Sequence, residues 1–213
     1  MTTPNVPRSD FAFPTRYRLG AGRRRELAKN LRDLGATRAL VVTDPGVASL
    51  PFCAEIAASL AEAGIAVEVF SEVHGNPTVG DAMAGGARAR ALGADIVVAL
   101  GGGSAIDCAK GVAVAARHDG GLLDYELAES RWRRIEAARL LRTVAIPTTA
   151  GTGSEMALAA VIVDEQTRKK RILWHPSLAP VLVIADPETT VGLPRGLTAA
   201  TGMDALSHAI EAY

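Results

Sequence analysis

Between residues 38 and 117, short apolar runs rich in β-branched residues alternate with longer stretches of helical spacing, and this alternation restricts the fold more than any other feature. The spacing predicts strands over 38–43, 66–73 and 94–100, with helices over 21–34, 52–63, 79–92 and 105–117. A strand that returns through a helix lies parallel to its predecessor, so the pattern predicts an α/β fold: a doubly wound, Rossmann-like parallel sheet with right-handed crossovers. The composition agrees, since a chain with 48% hydrophobic residues, only 4% aromatics and 21 glycines suits a buried parallel sheet under Ala-rich helices.

Outside that core the reading is coarser. Residues 1–10 carry Pro and polar residues without periodicity and are expected to form a loose terminus, with order beginning near FAFPTRYRLG. The stretch 118–141 is irregular and charged, with room for short helices. RTVAIPTT, ALAAVIVD, KRILW and PVLVIAD then read as four strands, the middle pair forming a hairpin or edge extension. Pro194 and Gly196 precede an Ala-rich last helix from about residue 197.

Charge and cysteine content exclude several function classes. With 23 basic and 23 acidic residues the net charge is zero, so neither nucleic acid nor an anionic membrane is an expected partner. Small molecules or other protein chains remain. IVVALGGG and PVLVIAD fall well short of the roughly 20 residues that cross a bilayer. Cys53 and Cys108 stand far apart in a chain without a secretory leader pattern, which predicts buried, reduced thiols and a cytoplasmic setting.

Four stretches could carry chemistry. LGGGSAIDCAK ends a strand in three glycines and opens a helix, which lets backbone N–H groups approach a phosphate; packing alone would also account for the glycines. In VVTDPG, Asp44 stands at the carboxyl end of the first core strand, where it can accept from a ribose or simply start a turn. IPTTAGTGSE concentrates three threonines and a serine, enough hydroxyls to line a polar pocket, or else a Gly/Thr-rich loop. In GMDALSHAIEAY, Asp204 and His208 are four apart on one helical face with Glu211, opposite Met203, Leu206, Ala209, Ile210 and Tyr213. A carboxylate and an imidazole so spaced can share a divalent ion, although any solvated helix face looks the same.

Taken in order, VVTDPG, NPT, GGGSAIDCAK, IPTTAGTGSE, the KK pair, the DP pair before leucine-proline and GMDALSHAIEAY resemble the iron-containing, or group III, alcohol dehydrogenases, from FAFP to the last residue. The resemblance implies an NAD(P)-binding α/β domain over 11–194, then an all-helical metal-binding domain of which 195–213 is the first helix, the rest being truncated. Asp44 would contact the adenosine ribose and favour NAD over NADP; Gly102, Gly103 and Ser104 would hold the pyrophosphate, with Asn76 and Asp107 also at the cofactor. Thr148, Thr149 and Thr152 would line the cofactor cleft and Lys170 would reach a cofactor ribose.

Asp204 and His208 match the first two of four metal ligands, for Fe(II) or Zn(II), and are the catalytic pair; His74, His118 and His175 do not match the other two. The implied reaction is hydride transfer between nicotinamide C4 and a small alcohol or aldehyde, in a homodimer or higher homo-oligomer, with this chain incomplete and inactive alone. Glycerol dehydrogenases, dehydroquinate synthases, maleylacetate reductases and hydroxyacid–oxoacid transhydrogenases are the neighbouring enzyme alternatives. A dinucleotide-binding module without turnover is the non-enzymatic one.

Overall fold

The computed structural model describes residues 15–212. Its strands are β1 (Arg16–Leu19), β2 (Arg38–Val42), β3 (Ala66–Phe70), β4 (Ile96–Gly101), β5 (Arg142–Pro147), β6 (Ala159–Asp164), β7 (Lys169–Trp174) and β8 (Leu182–Ala185). Six of them form one sheet in the order β1-β8-β5-β4-β2-β3. Every pairing within it is parallel, as the strand–helix alternation predicts.

Both faces of this sheet are covered, and the side chains of each strand divide between them. Leu40, Val42, Val97, Ala99, Ala145 and Val183 enter one core, which α4 (Val79–Leu92) and α5 (Gly103–Ala115) close with Ala82, Ala89, Ile106 and Val112. Their neighbours Ala39, Val41, Ile96, Val98, Val144 and Ile184 enter a second core with Leu27 and Leu31 of α1 (Leu27–Asp33) and Ile56 and Leu60 of α3 (Pro51–Glu62). Burying one Val, Leu or Ile fully stabilises by about 1.5–3 kcal/mol, which accounts for β4 being apolar along its whole length.

Helix α4 lies unusually close to α5. A Cβ on Gly85 would stand 2.5 Å from Val112 Cγ2, and one on Gly86 would stand 2.7 Å from Ala115 Cβ, so only glycine fits at either position. The helix is fixed at both ends: Thr78 and Asp81 form a reciprocal capping box, and Gly93 closes the C-terminus at φ 67°.

Several boundaries differ from expectation for identifiable reasons. The helix predicted over 21–34 begins as a 3-10 turn at Arg23–Glu26 after Gly22, whose φ of 75° breaks a continuous helix. The four-residue strand RYRL is absent from the sequence reading, since alternate arginines and short length mask its period; as the sheet edge it relies on β8 for pairing. The one-turn helix α2 (Pro45–Ala48) replaces a simple turn. The middle pair, β6 and β7, is an antiparallel hairpin in a separate two-stranded sheet. The irregular stretch holds 3-10 turns at Leu122–Tyr125 and Ala128–Arg134.

The last helix, α6 (Arg195–Glu211), behaves unlike the rest, because none of its residues is buried. Met203, Leu206 and Ile210 of the expected apolar side are 64%, 51% and 67% exposed. The expected loose terminus over 1–10 and the last residue, Tyr213, lie outside the described residues.

Strand order positions the candidate site. The chain runs outward from β2 to β3, crosses back to β4 beside β2, then continues to β5 and β8. The helices after β2 and after β4 therefore lie on opposite faces, α3 in one core and α5 in the other. At such a switch point the two connections diverge and leave a crevice beyond the carboxyl ends of β2 and β4.

Candidate cofactor and metal site

The crevice floor is the turn from β4 into α5. Gly101 has φ 152°, and a Cβ there would stand 2.6 Å from Ala105 Cβ. Gly102 caps α5 without a side chain, so the amides of Gly103, Ser104 and Ala105 have no partner within the helix and point outward with the positive end of its dipole. No acidic side chain occupies that first turn.

Three neighbouring segments wall the turn. On the β2 side, Asp44 Oδ1 accepts from Val47 N at 3.0 Å and caps α2, while Oδ2 lies 3.4 Å from where a Cβ on Gly101 would be. On the β5 side, Thr148 N donates to Gly101 O at 3.0 Å. Thr149 Oγ1 approaches the Cβ position of Gly102 to 3.2 Å, and Thr152 Oγ1 that of Gly103 to 2.9 Å. Any side chain at these two glycines would enter the threonine loop. Above the turn, Ser104 Oγ donates to Gly75 O at 2.6 Å, which draws the exposed Asn76 to the same rim.

Asp107 and Lys170 stand farther out. Asp107 is buried; its Oδ2 accepts from Val161 N at 2.9 Å, and Lys110 Nζ lies 3.7 Å from Oδ1. Burial pushes its carboxyl above the usual range, against the Lys110 charge and the hydrogen bond from Val161. Its carboxylate therefore braces the hairpin through Oδ2. Lys170 is exposed on β7, opposite Val163, whose N donates to Pro77 O at 2.8 Å. That pairing sets it one strand from the Asn76 loop.

The expected metal pair reaches the same edge from α6. His208 Nδ1 lies 3.1 Å from Gly151 O, in the middle of the threonine loop. A carbonyl can only accept, so Nδ1 of the neutral ring carries the proton and Nε2 keeps its lone pair, 3.8 Å from Asp204 Oδ1. Gly151 itself is tight against the helix: a Cβ there would stand 2.5 Å from Thr201 O and 3.3 Å from Asp204 Oδ2. One carboxylate and one imidazole nitrogen suit Fe(II) or Zn(II) by type but fall short by number. Among the described residues no group of three or more His, Cys, Asp or Glu is placed to hold a metal ion.

The remaining histidines serve elsewhere. His74 Nδ1 pairs with Asp81 Oδ1 at 2.8 Å. His118 is buried, with Nδ1 on Val114 O and Nε2 accepting from Glu136 N. His175 Nδ1 accepts from Ser177 N. Cys53 and Cys108 are free and buried, as expected of small apolar residues, and burial raises both thiols. A cleft of about 850 Å³ opens at the opposite edge of the sheet, lined by Arg90, Arg117, His118 and Arg139. Arg90 and Arg117 donate there to the carbonyls of Ala115 and Ala94, and Arg139 to Glu136 Oε1. No helix of the described residues is long and apolar enough to cross a membrane.

Two supporting groups escaped the sequence reading. Asp186, at the end of β8, accepts from Gly22 N, Arg24 N, Glu188 N and the Arg24 guanidinium. Lys110, inside α5, is 0% exposed. The signal for Lys110 was present: with Gly103 and Asp107 it forms an i, i+4, i+7 stripe on an otherwise apolar helix.

Comparisons with known proteins place the chain as a whole. The family model described as iron-containing alcohol dehydrogenase matches residues 14–187. Alcohol dehydrogenase 4 of Schizosaccharomyces pombe is 41% identical over 208 residues, covering 98% of this chain and 48% of that protein. The 4-hydroxybutyrate dehydrogenase of Cupriavidus necator is 45% identical over 185 residues, covering 84% of this chain and 46% of that protein. The solved structure of sulfoacetaldehyde reductase from Bifidobacterium kashiwanohense, in complex with NAD+, superposes with a TM-score of 0.87 at 33% identity, covering 98% of this chain and 54% of that one. The chain thus spans about half the length of the curated relatives it matches.

Proposed function

The chain belongs to the iron-containing alcohol dehydrogenase family, and we propose that its α/β unit binds NAD and serves the interconversion of a small alcohol and its aldehyde or ketone. The observation that carries this reading is the convergence of Asp44, the glycine turn and the threonine loop on one switch-point crevice. When bound, nicotinamide supplies hydride exchange and a divalent ion, Fe(II) or Zn(II), supplies Lewis acidity.

The chain's own residues then divide the work. The free amides of Gly103 and Ser104 donate to the pyrophosphate, which the side-chain-free Gly102 lets approach. Asp44 Oδ2 accepts from the adenosine ribose hydroxyls and repels a 2′-phosphate, favouring NAD over NADP. Thr148, Thr149 and Thr152 orient the cofactor on the β5 side, while Asn76 and Lys170 attend the rim. Asp107 supports this arrangement from beneath. Asp204 and His208 would supply two of the donors to the metal, and the Gly151 carbonyl keeps the Nε2 lone pair of a neutral His208 available. We read residues 195–213 as opening the helical metal domain, and the enzyme as a cytoplasmic homo-oligomer whose buried thiols stay reduced. An alcohol or carbonyl substrate is supported by the names of relatives, which include alcohol and 4-hydroxybutyrate dehydrogenases.

One observation favours a second reading, a dinucleotide-binding unit without turnover: among the described residues no third His, Cys, Asp or Glu joins the pair on α6, and a metal needs more than two donors. Calorimetric titration with NADH and NADPH, followed by aldehyde reduction read at 340 nm with added Fe(II) or Zn(II), separates the readings. Tighter NADH binding with turnover is the expected result for the enzyme, and NADH binding without turnover supports the second reading. A chain that binds no NADH sinks both.

A further inference from the structure

Lys110 is the largest fully buried side chain of the molecule's described residues, and it carries a charge. An ammonium in an apolar interior is costly unless each of its protons finds an acceptor. Here Nζ donates to Ser154 O at 2.7 Å, Ala157 O at 2.9 Å and Ala159 O at 2.7 Å, three acceptors for three N–H bonds. Burial pushes this lysine down to about 8, opposed by Asp107 and by Glu155, the two acidic groups facing it from α5 and from the loop.

The three carbonyls are the exit of the threonine loop and the start of β6. Seven residues earlier, about 10 Å along the helix axis, Gly103 of α5 faces that same loop so closely that a Cβ there would stand 2.9 Å from Thr152 Oγ1 and 3.1 Å from Ser154 Oγ. Between the two, Asp107 takes Val161 N. One helical stripe thus meets the loop at Gly103, the first strand of the hairpin at Asp107, and the exit of the loop together with the start of β6 at Lys110. Before β6 begins at Ala159, the segment Ser154 to Leu158 is otherwise held by Ser154 N on Thr152 Oγ1, by two short turns, Met156 N to Gly153 O and Ala157 N to Ser154 O, and by one pairing from His175 N to Leu158 O.

We propose that Lys110 is a positioning residue for the β5 side of the cleft, away from Asp44, its buried ammonium fixing the loop backbone so that Thr149 and Thr152 stand against Gly102 and Gly103. This rests on the dinucleotide reading above. Asp44 bonds to Val47 and Lys110 to Ser154, Ala157 and Ala159, so the two share no hydrogen-bond partner, and the proposal expects the adenosine half of the crevice to be independent of Lys110.

The test compares NADH and 5′-AMP on the wild-type chain and on Lys110→Met by calorimetry, with circular dichroism and thermal melts to establish folding. The expected result is NADH binding weakened about tenfold or more with AMP affinity unchanged. A merely structural role would lower the melting temperature and weaken both ligands alike, and that result, or two unchanged affinities, overturns the inference. If Lys110→Met does not fold, Asp107→Asn decides by the same criterion, with a smaller loss confined to NADH expected and equal effects on both ligands overturning it. A wild-type chain that binds neither ligand overturns this inference together with the reading it rests on, whereas one that binds both, with variants indistinguishable from it, overturns this inference alone.

Discussion

The glycine turn and helix α6 contribute to one edge of the molecule but are supported in opposite ways. Beneath the turn lie two cores, a strand buried along its whole length and a helix whose only charged interior residues, Asp107 and Lys110, are both engaged. Among the described residues α6 covers no core: the helix has no buried residue and is tied by His208 to Gly151 and by the close passage of Thr201. The difference teaches that the two halves of the candidate site need not stand or fall together. The half proposed to bind the dinucleotide is preorganised by the α/β fold itself, whereas the half proposed to bind metal stands on a helix with no buried residue among those described.

The comparison breaks most sharply at Gly103. Gly103→Val places branched carbons where Thr152 Oγ1 already lies 2.9 Å from the Cβ position, so NADH affinity should fall by about a hundredfold or more in calorimetry. An unchanged affinity would mean that the cofactor does not lie over this turn.

Next in size is Asp186, which follows β8 and ties the Gly22–Arg24 segment to the carboxyl edge of the sheet. Its burial would raise the carboxyl, but hydrogen bonds from the Arg24 amide and guanidinium, Glu188 N and Gly22 N outweigh that and hold it below its usual 3.8. A carboxyl lowered on folding contributes stability at pH above its unfolded value and loses it as pH falls through the lower folded value. Asp186→Asn should therefore cost about 2 kcal/mol at pH 7 in denaturant unfolding, with the gap between variant and wild type closing below pH 4. A gap that is constant with pH would show that the charge is not what matters.

Asp44→Asn should act on selectivity more than on fold. Like charges about 4 Å apart near a surface repel by roughly 1–4 kcal/mol, so removing one should narrow the NADH-over-NADPH preference by about tenfold. The smallest effect is expected on the other side of the comparison. His208→Ala should change NADH affinity by no more than about twofold while abolishing whatever Zn(II) binding the chain shows, since an exposed hydrogen bond contributes little to the floor. A large loss of NADH binding would mean that α6 holds the threonine loop in place.

The two halves also differ in how far they can be read from sequence. The glycine turn, Asp44 and the threonine loop are contiguous motifs, each at the end of a strand with a clear period, and the parallel order brings them together without further information. The i, i+4, i+7 stripe of Gly103, Asp107 and Lys110 was equally visible, but its meaning depended on a loop that folds back some fifty residues later. Asp186 was opaque for the same reason on a larger scale: Gly22 and Arg24 lie 164 and 162 residues away. Strand β1 was hidden because its two arginines give it the alternation of an exposed edge and nothing to mark a core. On α6 the spacing correctly put Asp204 and His208 on one face, but periodicity could not reveal that the opposite face meets no core among the described residues.

The most direct measurement is NADH titration of the chain in excess chelator and again with saturating Zn(II). A dinucleotide half supported by its own cores predicts the same dissociation constant in both, within about twofold. Binding that vanishes in chelator and returns with the metal would contradict the account, because the floor would then be organised from α6 and not from the sheet.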